Sequence, residues 1–284
     1  MGVISTTEAT NLIPQVWSAG LREDATEEIV IVRDFSVAEG VTKVMGQLNV
    51  RKIARQAYNT LAASGGSGTS LTYTANTEGV ATGTPVWLYG AVEINRAVYN
   101  RLDFDPDNPY RDMLKNALGE GVEANGAALW SSITTNQKGS GAADMDQGLA
   151  LDASMALAIS AKRFYRPGQT PWYLKLHPSQ IKNLMSQFNL IADYVRGDDE
   201  NPVVSGWMSK ALGANIDETG NIVQAGGVTH NLGFIPEAFV IAYNEEMEVI
   251  PPQAFELVNR LIATVEFATI AVYEKFAVDL QTKG

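Results

Sequence analysis

The chain has 284 residues, 45% of them apolar, which suffices for one large or two medium domains with ordinary cores. It has no cysteine, which excludes disulfides and thiolate metal sites and fits a reducing compartment. A net charge of −11 opposes tight DNA or RNA binding. No apolar run approaches the ~18 residues of a membrane span, and the nearest, Asn259 to Tyr273, is interrupted by Glu266. The opening MGVISTTEAT lacks the basic and apolar regions of a secretory signal.

Residues 1–40 read as an arm. Ser5-Thr6-Thr7-Glu8 has capping-box spacing for a short helix, and Pro14 interrupts it or opens another. Val16, Trp17, Gly20 and Leu21 then share a helical face. Ile29 to Val32 is a β-branched run that predicts a strand.

Residues 41–95 predict an extended β-loop with its base near residues 45 and 92. Its tip, Asn59 to Thr84, holds only four sizeable apolar residues, Leu61, Leu71, Tyr73 and Val80. Such a segment buries too little to offset its ordering entropy. Leu71-Thr72-Tyr73-Thr74 nevertheless alternates as a strand does. Pro85 to Tyr89 and Ala91 to Ile94 read as two further strands. Between Gly40 and Thr77 there are four basic residues, Lys43, Arg51, Lys52 and Arg55, and no acidic one. Between Leu190 and Glu256 there are eleven acidic residues and two basic ones. A basic arm resting on an acidic neighbour is one reading of this asymmetry, and plain solubility is the other.

Residues 108–135 predict the longest helix, ~40 Å at 1.5 Å per residue, with Asn108 as N-cap and Pro109 at the first position. Gly119, Gly121 and Gly126 weaken it and allow close approach of another segment. Lys138 to Gly141 are expected to end it. Residues 145–256 then read as mixed α/β. The predicted elements are a helix over Asp152–Phe164, a strand over Trp172–Leu176 and a helix from the His177-Pro178 turn to about Phe188. Loops are expected over Asp198–Pro202 and Asn215–Gly227, and strands over Phe239–Tyr243 and Glu248–Ile250 with an exit at Pro251-Pro252. Residues 255–282 read as one or two long strands that return to the early β region.

Catalytic signals fail. The two histidines, His177 at a turn and His230 in a Gly/Asn loop, come with no nucleophile and orienting carboxylate. Asp103 to Asn108 begins like a calcium loop, but Asn108 stands where Gly is required and Leu114 where Glu is required. The Gly/Ser run lacks the Gly-Lys-Ser/Thr of a phosphate loop, and there is no nucleophile elbow. Asp198-Asp199-Glu200 and Glu245-Glu246 could bind a cation, although acidic clusters in turns are usually just solvated. The chain reads as a non-enzyme without cofactor or metal.

The order of elements carries the strongest signal. An arm containing Ile13-Pro14 and Trp17-Ser18 comes first, followed by the β-loop with its return strand Thr84 to Leu88 and Val92 to Asn95. A long helix and the Pro171 to Ser186 strand–turn–helix come next. This order resembles the major capsid proteins of tailed double-stranded-DNA phages, the Hong Kong 97 fold. The resemblance implies an α+β chain in four parts: arm 1–40, extended β-loop 41–95, a peripheral domain with the spine helix from 96–144 and 255–284, and a compact α/β axial domain at 145–254. It implies self-assembly into hexamers and pentamers of an icosahedral virion shell, made in the host bacterial cytoplasm. Packaged DNA would lie on the inner face without sequence specificity, and there would be no membrane partner. Further implied partners are a portal, a decoration protein and, since the chain starts almost directly at the arm, a separate scaffolding protein. Subunit-interface residues are expected at Arg51, Lys52, Arg55, Leu71, Tyr73 and Trp17. The alternative is an encapsulin-type nanocompartment shell of the same fold. A cytoplasmic metal-dependent hydrolase is a more distant one, and a fibre subunit would lack the long helix.

Overall fold

The structure, a computed structural model of the chain, describes residues 3–4, 29–37, 42–44, 47–53, 78–95, 107–167, 169–187, 210–211, 213–255 and 258–284. The expected helices near Ser5 and Trp17, the tip alternation at Leu71 to Thr74, the Asp103 turn and the Asp198 loop lie outside the described residues.

In chain order, β1 (Val3–Ile4) is followed by a 3-10 turn at Val32–Asp34 and β2 (Ser36–Val37). The run Ile29 to Val32 therefore forms no strand, because its amides are spent on a side chain described below. β3 (Thr42–Val44), β4 (Gln47–Ile53) and β5 (Glu78–Gly83) follow. Then comes β6 (Val86–Asn95), one continuous strand where two were expected.

The long helix α1 (Asp107–Ala127) is 21 residues, ~32 Å, and tightens into a 3-10 turn at Ala128–Ser132. It stops short of residue 135 because the Glu274 carboxylate accepts the N–H groups of Thr134 (2.7 Å) and Thr135 (2.8 Å) and both hydroxyls. The expected helix end at Lys138-Gly139 is instead part of a strand, β7 (Gln137–Gly139).

Helix α2 (Gln147–Ala161) begins earlier than Asp152, since Asp146 caps it by accepting the Leu149 N–H at 2.5 Å. β8 (Trp172–Leu176) and α3 (Pro178–Gln187) match their expected spans. β9 (Lys210–Ala211), β10 (Ala214–Glu218), β11 (Gln224–Ala225) and β12 (Val228–Phe234) come next. The expected loop from Asn215 thus contains a strand. Its polar residues alternate with buried Ala214 and Ile216, a short pattern that is easily read as a turn.

β13 (Phe239–Phe255) runs straight through the acidic stretch and through Pro251-Pro252, where an exit was expected. A register shift between Ile250 and Gln253 accommodates the two residues that have no N–H to donate. β14 (Val258–Ala271) and β15 (Ala277–Lys283) complete the chain.

The strands form three sheets. The first has order β1-β6-β14-β13-β2, with β1 and β2 added in parallel at its edges. The second has order β7-β15-β12-β8-β10-β9, with β11 paired to β12. The third is the antiparallel β3-β4-β5 stem, within the stretch expected as an extended loop, in register from Leu48 opposite Gly83 to Ile53 opposite Glu78. The main core joins α1 and α2 to the first two sheets through residues such as Leu118, Val122, Leu157, Trp172, Phe234, Phe239 and Phe267. A smaller cluster seats the loop stem on the first sheet, with Ala81 and Val50 against Val240, Ala242, Ala268, Ile270 and Val272. Gly83 permits this seat, because a Cβ there would overlap Ile270.

Gly126 is the sharper case. It lies on the buried side of α1, and a Cβ there would overlap the Val32 side chain. In an open helix Gly to Ala gains about 1 kcal/mol. Here Gly126→Ala is expected to lower stability by about 1–3 kcal/mol through overpacking, read as a lower Tm in thermal unfolding.

Candidate functional site

Among the described residues no group of three or more His, Asp or Glu could hold a metal ion. What the structure gathers instead is a set of buried polar ties that lock an N-terminal segment to the rest of the molecule.

The first tie starts from α1. Gly119, Glu123 and Gly126 are spaced four and three apart and share a helical face. Two missing side chains leave a groove, and residues 29–35 lie in it, with Ile29 over Gly119 and Val32 over Gly126. Glu123, 0% exposed, stands between the glycines. Its carboxylate accepts three successive backbone N–H groups, from Val30 at 3.0 Å, Ile31 at 2.6 Å and Val32 at 3.1 Å. Burial pushes the Glu123 carboxyl above its usual range, while these three bonds and the Lys175 charge pull it partly back.

The second tie comes two residues on. Lys175 of β8 is 0% exposed, and its ammonium contacts Asp34 and, at 2.5 Å, Asp217 of β10. Asp217 is the parallel partner of Lys175 in the sheet register, so the second sheet itself presents the Lys–Asp pair to the arm segment. Arg33 reaches Asp217 from outside at 3.5 Å. Two carboxylates offset the desolvation of one buried ammonium, which a single partner seldom does.

The third tie is apolar and main-chain. Phe35 packs its ring against Phe234 and Phe239 at 5.4 and 5.1 Å. Ser36 and Val37 pair with Val240 and Ile241, and the Ser36 hydroxyl donates to the Pro236 carbonyl at 2.9 Å. Nine residues thus reach α1, the first sheet and the second sheet at once.

The histidines take structural positions. His230 lies in β12, not in a loop, because this Gly/Asn-rich stretch pairs with β15 on one side and β8 on the other. Its Nδ1 is 3.1 Å from the buried Asp279 carboxylate, and its ring stacks on Trp130 at 3.6 Å. His177 precedes α3, with Nδ1 2.8 Å from the Ser179 hydroxyl.

Of the residues expected at subunit contacts, Lys52 lies partly buried on β4, its stem folded across Gly79 of β5. Arg51 pairs with Val80 in the same ladder. Arg55, Leu71, Tyr73 and Trp17 lie outside the described residues. Sequence reasoning missed Glu123, Asp34 and Lys175. The one available signal was Glu123 flanked by glycines on a helix face otherwise built for burial.

An N-terminal segment bound in a groove, a β3-β4-β5 stem, a long helix packed on the first sheet and a second α/β layer occur in this order, and this is the fold of phage capsid structures. Solved structures with this architecture bear this out. A structure from Mycobacterium phage Che8 superposes with a TM-score of 0.71 at 15% identity, over 95% of this chain and 97% of that one. The capsid of cyanophage P-SCSP1u gives a TM-score of 0.69 at 13% identity, over 97% and 94% of the two chains. The capsid of a native GTA particle gives 0.68 at 12% identity, over 99% of each. No family model and no curated protein matches the sequence.

Glu123→Ala strips the partner from three buried N–H groups and is expected to cost about 3–5 kcal/mol, measured by chemical denaturation. Desolvation raises the Glu274 pKa, but the four bonds from Thr134 and Thr135 outweigh it and hold the group below its ordinary 4.5. A lowered folded pKa stabilises above the unfolded value and is lost as pH falls through the folded one. Tm should therefore drop from about pH 4.5 downward, and Glu274→Gln should flatten that part of the Tm–pH curve.

Proposed function

We propose that this chain is the major capsid protein of a tailed phage. It self-assembles as hexamers and pentamers into an icosahedral shell around double-stranded DNA. The observation that carries this reading is agreement along nearly the whole length of both chains with capsid structures, at TM-scores near 0.7. A local insertion or a shared half-fold would not give that.

The physics of the chain supports the same reading. A shell subunit needs wide lateral contacts more than a pocket, and extended arms supply them by overlap and strand addition. Many weak contacts under closed symmetry sum to a stable particle. The loop stem is held by its own chain through Ala81 and Val50, so only the tip needs a neighbour. In this reading the first sheet with α1 is the peripheral domain and the second sheet with α2 and α3 is the axial domain. β13 and β15 carry the chain between them, so the division follows the sheets more closely than continuous stretches of sequence.

Arg51, Lys52 and Arg55 at the loop base, Leu71 and Tyr73 at its tip and Trp17 in the arm are the proposed subunit contacts. The acidic balance of residues 190–256 offers a complementary surface for the basic base. Scaffolding, portal and decoration proteins are the proposed accessory partners. DNA would be enclosed without sequence readout, in a virion assembled in the host cytoplasm.

Negative-stain microscopy of the purified protein tests the reading. Closed shells of uniform diameter are expected, and a monomer or small oligomer under all assembly conditions would overturn it. DNA inside native particles supports the phage reading, whereas a protein cargo would indicate an encapsulin-type compartment. A triple Glu variant at Arg51, Lys52 and Arg55 is expected to fold but to lose shells.

A further inference from the structure

The two faces of the first sheet are used differently. The inner face carries Leu261, Ala263, Val265 and Phe267 of β14, all buried in the main core, and Leu88 of β6 lies over Gly121 of α1. The alternate residues of these strands face the other way. At one end of that outer face, Ala268 and Ile270 of β14 with Val240 and Ala242 of β13 lie under the β3-β4-β5 stem. At the other end β6 presents Trp87 and Tyr89, 62% and 71% exposed. The register sets Glu266 beside Trp87, and it sets Thr264 between Tyr89 of β6 and Glu248 of β13. Glu248 is exposed and Glu266 half-buried. Tyr89 and Glu248 stand two strand spacings apart, about 10 Å.

Two exposed rings beside carboxylates have a definite chemistry. Ring faces and carboxylates both attract cations. A guanidinium suits the combination best, since it stacks on a ring while its N–H groups reach the acids. The same outer face shows the simpler case within one chain, where Arg260 of β14 meets its register partner Glu93 of β6 at 2.7 Å. The chain also carries a source of cations. Lys43, Arg51, Lys52 and Arg55 lie between Gly40 and Thr77 without one acidic residue among them. In a single chain the stem that holds Arg51 is seated on the other end of the face, through Val50 and Ala81. A basic segment and an aromatic, acidic patch are two different surfaces of one molecule. A contact between them repeats head to tail and closes into a ring where the rotation allows.

We propose that the patch formed by Trp87, Tyr89, Glu248 and Glu266 receives Arg51 and Arg55 from a second copy of this chain. The inference rests on the capsid reading and gives the basic segment its site on the neighbouring subunit.

Trp87→Ser with Tyr89→Ser tests the patch without disturbing the core, because both rings are mostly exposed. The double variant should keep the Tm of the dissociated subunit and give roughly tenfold fewer shells or less, since each lost contact is repeated around the particle. Normal shells from it overturn this inference and leave the capsid reading standing. A fall in subunit Tm places the cation within the same chain and also overturns it. A native chain that never forms shells overturns both readings. Charge exchange supplies the second test. Glu248→Lys with Glu266→Lys should lose shells alone and should restore them when combined with the triple Glu variant at Arg51, Lys52 and Arg55. No restoration from folded subunits overturns the pairing.

Discussion

One buried carboxylate organises the molecule. Glu123 sits inside the long helix between two glycines and accepts three consecutive amide N–H groups from residues 30–32. Those amides are too deep for water and belong to no ladder, so without Glu123 they would each bear a desolvation cost. Satisfying them fixes the path of the whole segment, and the later contacts follow from that path. Asp34 arrives at Lys175, Phe35 enters the Phe234–Phe239 aromatic cluster, and Ser36 and Val37 reach the edge of β13. The segment acts as a keystone because it touches three elements that otherwise share only part of the core.

Two parts of the chain are held firmly against the rest of the molecule. Residues 29–35 lie in the Glu123 groove, and the β3-β4-β5 stem is seated on the first sheet through Ala81, Val50 and Ile270. The polar ties at Lys175, Glu274 and Asp279 add direction to apolar contacts that would slide more easily.

Much of the architecture was legible along the chain. The β8–α3 unit, strand β6 and the long helix each follow from local pattern, namely alternation, a His-Pro turn and three-four spacing. The misreadings have specific causes. Ile29 to Val32 has strand propensity, but its amides were claimed by Glu123, a residue 91 to 93 positions away. The helix was read too long because nothing local shows that Glu274 captures Thr134 and Thr135. Pro251-Pro252 was read as a break, yet a register shift lets the strand carry two prolines. The Lys175 cluster was invisible because it joins residues from three separated stretches.

By itself, the sequence determined the element types, their order, the lack of cysteine and the uneven charge, and with these the class of fold. Those properties depend on neighbours within a few residues, where backbone sterics and periodicity act. Only the tertiary structure decided where residues 29–37 lie, which carboxylates are buried and which cation they meet. Each of these depends on desolvation and pairing across long chain separations, and a buried charge has no local signature until its partner is in place.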